Sequence, residues 1–194
     1  SQTNEAWFTK IPGLKVIYPA FPADAKGLLN TAFNDPNPVL YFEHKALYRS
    51  VRQEVPEGYY TTEFGKASLI REGSNVTIIT YGAGVHWAME ILDELEIDSA
   101  DLLDLRSLQP LDNAAICNSV SKTGKAIVLT EDSLTGSFAS EIAAMISEEC
   151  FESLDAPVYR VGSLETPIPF AKELENQYLP KDRFKSKLQE LLNY

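Results

Sequence analysis

Residues 67–194 alternate between short apolar runs and stretches with helical spacing, and this alternation limits the possible folds more than any other feature. The apolar runs, interpreted as strands, are 75–82, 100–107, 125–132 and 156–162, with 67–73 as a short edge strand. The helical stretches are 84–96, 113–122, 137–150 and 181–192. Strands that alternate with helices form mainly parallel sheets covered on both faces. We therefore predict a three-layer α/β domain with a mainly parallel sheet over residues 66–194.

Residues 1–48 contain a smaller strand–helix–strand unit. Its predicted elements are a strand at 14–19, a helix at 22–34 and a strand at 38–44. Such a unit favours a parallel strand pair with a right-handed crossover. One unit cannot cover both faces of a sheet, so we interpret it as the C-terminal part of a second α/β domain. Residues 49–65 lack clear periodicity and are predicted to be a linker.

Composition narrows the possible partners. The net charge is −11, from 17 basic and 28 acidic residues, which disfavours nucleic acid and anionic membranes and favours basic protein partners. No apolar run of membrane-spanning length and no secretory pattern are visible, so we expect a cytoplasmic protein. Cys117 and Cys150 fall in predicted helices and are expected to be small core residues rather than a disulfide.

The segment "DLRSLQPLD" (104–112) is the carboxyl end of a predicted strand, a turn at Pro110 and the start of a helix. Asp112 is a predicted helix N-cap, and Gly124 lies where that helix should end. Arg106 is expected to pair with Asp104 or Asp112, or to bind loop carbonyls. From the residues alone, a structural strand-to-helix turn is favoured over a catalytic role.

Few residues carry a catalytic signal. The sequence has no phosphate-binding loop, dinucleotide fingerprint, nucleophile elbow or zinc spacing. His44 and His86 are interpreted as surface or structural residues that would act as acids or bases only if they faced a shared crevice. Glu131 and Asp132 end the strand predicted at 125–132, where paired carboxylates could act as acid and base, but a solvated loop with a helix cap is the favoured interpretation.

The helix predicted at 22–34 ends in "AFNDPNP". The last carbonyls of a helix lack partners and carry the negative end of its dipole. A loop folded over them would offer several oxygens to a monovalent cation. From the residues alone, a simple helix stop before Pro36 and Pro38 is the favoured interpretation.

Several motifs in order resemble one family. They are "EAWF", "IPGLKVIYP", "DAKGLL", "DPNPVLYFEHKALYR", "EGSNVTIITYGAGVHWAMEIL", "DLRSLQPLD", "SVSKTGKAIVLTED", "SLDAPVYRV" and "TPIPFA". Together they resemble the beta subunit of thiamine-diphosphate-dependent 2-oxo acid dehydrogenases, of the branched-chain or pyruvate type. "DLRSLQPLD" alone is typical of the broader transketolase-like C-terminal domain. "EHKALYR" and "EECFESLDAP" favour the branched-chain members.

The resemblance implies oxidative decarboxylation of a 2-oxo acid with acyl transfer to a lipoyl group. In that family a catalytic histidine directly precedes a Ser-Gln pair, here Ser1-Gln2, so it would lie before this chain. Thiamine diphosphate and Mg²⁺ would be held largely by other parts of the enzyme. We therefore expect a piece of a longer enzyme, inactive alone, with no catalytic or cofactor-binding residue. A structural K⁺ would bind main-chain oxygens of Ala32, Asp35 and Asn37.

The resemblance also implies partners: an alpha subunit or alpha half, a second beta subunit, and the subunit-binding domain of a lipoyl acyltransferase. Asp155 is the candidate docking carboxylate, with an ordinary exposed aspartate as the alternative. His44 departs from a common proline, Ser137 from a glycine, and "TEDSLTG" from a His-Glu-Ala start. Two other functions stay open: another transketolase-like thiamine enzyme, such as deoxyxylulose-phosphate synthase, or a non-catalytic assembly module.

Overall fold

The structure, a computed structural model, describes residues 3–194 and contains two sheets. The strands are β1 (Lys15–Ile17), β2 (Val39–Tyr41), β3 (Ser68–Arg71), β4 (Val76–Thr80), β5 (Ala100–Asp104), β6 (Ser107–Gln109), β7 (Ala126–Ser133) and β8 (Tyr159–Ser163). The helices are α1 (Ala6–Thr9), α2 (Pro22–Asn34), α3 (Leu47–Ser50), α4 (Ala83–Glu94), α5 (Asn113–Thr123), α6 (Phe138–Glu149), α7 (Lys172–Tyr178) and α8 (Lys181–Leu192). A 3₁₀ turn at Phe151–Ser153 follows α6.

The larger sheet has the strand order β3-β5-β4-β7-β8. Strands β5, β4, β7 and β8 run parallel, and β3 is an antiparallel edge strand. The apolar faces of α4 and α8 pack on one side of this sheet, and those of α5 and α6 pack on the other. The predicted three-layer α/β class with a mainly parallel sheet is therefore confirmed.

Local signals at the ends of α5 act as the sequence predicts. The Asp112 carboxylate accepts a hydrogen bond from the Ala115 backbone N–H at 3.1 Å, which satisfies one free donor of the first turn. Gly124 ends the helix at φ 70°, a left-handed conformation that glycine adopts without steric cost.

The smaller sheet holds the N-terminal unit and differs from expectation at one strand. β1 and β2 are parallel, as predicted, and α2 connects them. The strand predicted at 100–107, however, stops at Asp104, because Arg106 turns the chain at φ 54°. The chain then forms β6, which pairs antiparallel with β1. Burial of Leu105 and Leu108 in the core around β1 favours this path over a longer β5.

The segment predicted as a linker, 49–65, packs along α2. Beyond the last residue of α3 it contains no helix or strand, yet Asn30 and Thr31 donate side-chain hydrogen bonds to the carbonyls of Tyr60 and Thr62, at 2.8 and 2.6 Å. The segment approaches so closely that a Cβ on Gly27 would lie 2.1 Å from the Thr62 hydroxyl. It is therefore an ordered strap across the helix.

Three short helices were not predicted: α1, α3 and α7. α7 is short and follows the Pro-rich segment 166–170, and its charged sequence carries no apolar stripe. Among residues 3–194, no helix combines the length and apolar character that crossing a bilayer requires.

Candidate functional site at the junction of the two sheets

The carboxyl ends of β1 and β2 face those of β4 and β7. Tyr18, which follows β1, stacks on Phe42 with ring centroids 5.6 Å apart and meets Tyr81, which follows β4, at the same distance. Open α/β sheets bind ligands in the crevice outside the carboxyl ends of their strands. This junction is therefore the candidate functional site.

A buried polar network crosses the junction. Glu5, the residue before α1, is fully buried, and its Oε1 accepts a hydrogen bond from the Tyr81 hydroxyl at 2.7 Å. The Tyr81 hydroxyl also lies 2.9 Å from Thr130 Oγ1. The other carboxyl oxygen, Oε2, finds no hydrogen-bond partner among residues 3–194. Burial raises the pKa of Glu5 to about 7, so this carboxyl can gain or lose a proton near neutrality.

His44 and Glu131 form a second contact across the junction. The His44 Nε2 and Glu131 Oε2 atoms are 2.9 Å apart, and both side chains are almost buried. The angles are not those of a hydrogen bond, and neither ring nitrogen of His44 has such a partner within the described chain. From the sequence, we interpret His44 as a surface or structural residue. The fold instead places it at the crevice between the two sheets.

Glu131 and Asp132 lie at the end of β7, as the predicted strand 125–132 implies, but they are half-buried rather than part of a solvated loop. The strand continues to Ser133 because the carboxyl end of β7 pairs with β8 at Ser163. Burial raises the pKa of Asp132, and the nearby Glu165 and Glu131 add to this effect. With Glu5, these residues give the junction an excess of carboxylates.

Two cavities open beside His44. The larger, about 520 Å³, is lined by charged side chains that include Lys45, Glu131 and Lys181. The smaller, about 320 Å³, is mainly apolar and runs between α2 and α3. His86 lines the larger cavity, but its Nε2 bonds the Ala20 carbonyl at 2.8 Å, as a structural histidine would.

Arg106 closes one edge of the junction. Its Nη1 donates to Asp24 Oδ1 at 2.8 Å, and its Nε and Nη2 donate to the Lys66 carbonyl at 3.1 and 2.8 Å. The prediction that Arg106 binds loop carbonyls is confirmed. The carboxylate that pairs with its side chain is that of Asp24, rather than that of Asp104 or Asp112. Asp104 is fully buried, and burial raises its pKa to about 8.

The predicted cation positions lie together after α2. The Ala32 carbonyl accepts the Asp35 backbone N–H at 3.3 Å, and the Asp35 carboxylate pairs with the Lys15 ammonium. Asp35 Oδ1 also accepts the Asn37 backbone N–H at 2.9 Å. In the described part of the chain, no group of three or more His, Cys, Asp or Glu side chains is arranged to hold a metal ion. Potassium at main-chain oxygens stays a prediction.

Asp155, the candidate docking residue, is exposed and held in place. Its backbone N–H donates to the Gly124 carbonyl at 2.8 Å, and its carboxylate lies close over Gly124. Its docking role stays a prediction. The Ser1-Gln2 pair, on which the predicted position of the catalytic histidine depends, lies outside the described residues.

The two sheets and their shared crevice define a transketolase-like α/β protein. A solved structure described as a split gene transketolase, inactive beta4 tetramer, matches with a TM-score of 0.76 and 27% identity, over 97% of this chain and 60% of that one. The transketolase C-terminal domain model matches residues 65–183, and the transketolase pyrimidine binding domain model matches residues 1–51. The chain belongs to the transketolase family.

Curated relatives confirm the resemblance to beta subunits. The 2-oxoisovalerate dehydrogenase subunit beta of Bacillus subtilis (strain 168) is 45% identical over 100% of this chain and 61% of its own length. The pyruvate dehydrogenase E1 component subunit beta of the same organism is 48% identical over 89% of this chain and 53% of its own. The acetoin:2,6-dichlorophenolindophenol oxidoreductase subunit beta of the same organism is 45% identical over 99% of this chain and 57% of its own length. The chain thus spans little more than half the length of these relatives.

Proposed function

We propose that this chain is part of the beta subunit of a thiamine-diphosphate-dependent 2-oxo acid dehydrogenase. The enzyme would decarboxylate a 2-oxo acid oxidatively and transfer the acyl group to a lipoyl group. The observation that carries this proposal is the similarity to a 2-oxoisovalerate dehydrogenase beta subunit over 100% of the chain and to a pyruvate dehydrogenase beta subunit over 89% of it. Residues 1–48 would belong to the pyrimidine-binding domain and 66–194 to the transketolase C-terminal-like domain, joined by 49–65.

The cofactor supplies the carbon nucleophile and the electron sink in such enzymes. The family implies thiamine diphosphate, and the buried polar atoms of Glu5 and His44 that lack partners among residues 3–194 suit one polar wall of its site. The resemblance to the family implies that the diphosphate and Mg²⁺ would be held by the alpha subunit or alpha half. Within this chain, Glu5 would hold a proton near neutrality, and His44 with Glu131 would line the crevice.

The residues of this chain would by themselves support assembly rather than catalysis. We expect an alpha subunit or alpha half, a second beta subunit and the subunit-binding domain of a lipoyl acyltransferase as partners. The net charge of −11 suits a basic docking domain, with Asp155 as the candidate carboxylate. K⁺ at the main-chain oxygens of Ala32, Asp35 and Asn37 would stabilise the end of α2.

The test is decarboxylation by the complete protein with its alpha subunit. We expect CO₂ release from 2-oxoisovalerate or pyruvate that depends on added thiamine diphosphate and Mg²⁺, and reductive acylation of a lipoyl domain. The same protein without the cofactor is the control. Condensation of pyruvate with an aldehyde phosphate would favour a deoxyxylulose-phosphate synthase instead. If the protein binds its partners but shows no thiamine-dependent reaction, the result would favour a non-catalytic assembly module.

A further inference from the structure

The two cysteines meet between helices α5 and α6, away from the junction of the sheets. Cys117 lies in the middle of α5, and Cys150 directly follows α6. Their Sγ atoms are 3.0 Å apart, and both are free thiols. A disulfide bond requires about 2.05 Å, so the sulfurs need to approach by roughly 1 Å. The partners are 33 residues apart in sequence, so folding alone produces this proximity.

We propose that Cys117 and Cys150 form a reversible disulfide that stabilises the packing of α5 against α6. The inference concerns a modification site and is independent of the proposed function. Cys117 is partly exposed and is the sulfur that an oxidant in solution can reach, whereas Cys150 is buried. Cys117 lies beside the flexible side chain of Met145, whose Sδ is 3.9 Å from the Cys117 Sγ. A methionine side chain can adjust its conformation when the two cysteine sulfurs approach each other.

The reaction balances with a low-molecular-weight disulfide such as oxidised glutathione as the oxidant. The Cys117 thiolate attacks one sulfur of the reagent and releases one glutathione thiolate. The Cys150 thiolate then attacks the Cys117 sulfur of this mixed disulfide and releases the second glutathione. The two protein thiols lose two electrons and two protons, and the oxidant becomes two glutathione thiols.

The environment of Cys117 and Cys150 makes their oxidation slow, unlike that of a redox-sensing cysteine. Burial and the neighbouring Cys150 thiol raise the pKa of Cys117 to about 12, and the Glu149 carboxylate, 3.6 Å from the sulfur, adds to this. Because the thiolate is the nucleophile, the oxidation rate should rise roughly tenfold per pH unit between pH 7 and 9. Where the glutathione pool is reduced, the dithiol is the resting state.

The experiment is oxidation of the folded protein with excess oxidised glutathione, followed by proteolysis and mass spectrometry without reduction. We expect one cross-linked peptide pair that contains Cys117 and Cys150, lighter by two hydrogens than the separate peptides. Dithiothreitol should reverse it. The cross-link closes a loop of about 34 residues, so the Tm should rise by roughly 5–10 °C on oxidation.

Cys117→Ser and Cys150→Ser are the matched controls, because each keeps one thiol and changes one atom. Neither should gain thermal stability on oxidation, and Cys117→Ser, which keeps only the buried thiol, should remain unmodified. Wild-type protein that keeps both thiols, or carries glutathione without a cross-link, after prolonged exposure at pH 9 would overturn the proposal. A cross-linked protein with an unchanged or lower Tm would overturn the stabilising role.

Discussion

Asp104 is expected to make the stability of the protein depend on pH in a direction opposite to that of a carboxylate paired with a cation. It ends β5, is fully buried and accepts one hydrogen bond, from the Arg106 backbone N–H at 3.1 Å. Its Oδ2 finds no partner within the described chain. We predict that Asp104→Asn is close to wild type in stability at pH 4 and becomes progressively more stable than wild type from pH 5 to pH 8.

The magnitude follows from the two states of the carboxyl. Its pKa rises from 3.8 to about 8 on folding, mainly through burial. Between these values the unfolded chain has lost the proton and the folded chain keeps it, so the free energy of unfolding falls by about 1.4 kcal/mol per pH unit. The contribution is fully present below pH 4 and is lost as pH rises towards 8, a total of the order of 5 kcal/mol. Asparagine is neutral throughout and removes this slope.

The assay is urea unfolding at pH 5, 6, 7 and 8 for both proteins. Asp101→Asn is the matched control, since Asp101 is also buried in β5 but bonds Ser119 at 2.5 Å and Lys122 at 2.7 Å. That substitution removes the carboxylate that bonds Ser119 and the exposed Lys122 ammonium, and it should destabilise the protein at every pH by about 1–3 kcal/mol. Equal pH slopes for Asp104→Asn and wild type would refute the reasoning, because Asp104 would then be ionised in the folded state.

Four further predictions concern the strap, the junction, its edge and the surface. Gly27→Ala should destabilise the protein by about 1–3 kcal/mol in urea unfolding, because its Cβ would collide with the Thr62 hydroxyl, and adding Thr62→Ala should recover part of the loss. Glu5→Gln should flatten the stability loss between pH 4.5 and 7, a gain of about 3 kcal/mol at pH 8 relative to wild type, and an unchanged slope would contradict the buried protonated state. Arg106→Lys should lose the forked bonds to the Lys66 carbonyl and cost about 1–3 kcal/mol, measured the same way. Asp155→Asn should leave stability within about 0.5 kcal/mol but weaken binding to a basic subunit-binding domain at low salt, and equal affinity would remove it as a docking residue.

The elements that the sequence predicts well carry their signals locally. α2 begins at Pro22 and ends at Asn34 as predicted, because proline suits the first turn and the Asp-Pro pair after it stops the helix. α8 also has its predicted bounds, set by an apolar stripe that includes Phe184 and Leu188. The capped helix α5 follows the same logic.

The elements that the sequence misses either depend on a distant partner or are too short and polar to carry a pattern. β6 exists only because β1 offers it an edge, and Arg106 turns the chain towards that edge. Taken locally, the same residues continue β5, since an apolar run carries no mark of the sheet it will join. α7 is short and charged, and it lacks the apolar stripe by which a helix is found.

The sequence by itself determined the α/β class, the main helices with their caps, and the resemblance to beta subunits, because these depend on periodicity, capping residues and motifs that are local. Only the tertiary structure decided which polar residues share a site. Glu5 meets Tyr81 across 76 residues, and His44 meets Glu131 across the two sheets. No local pattern specifies such pairs, because their proximity follows from how the strands end at one junction. Burial there, rather than residue type, sets the pKa of Glu5 and gives that carboxyl its chemical character.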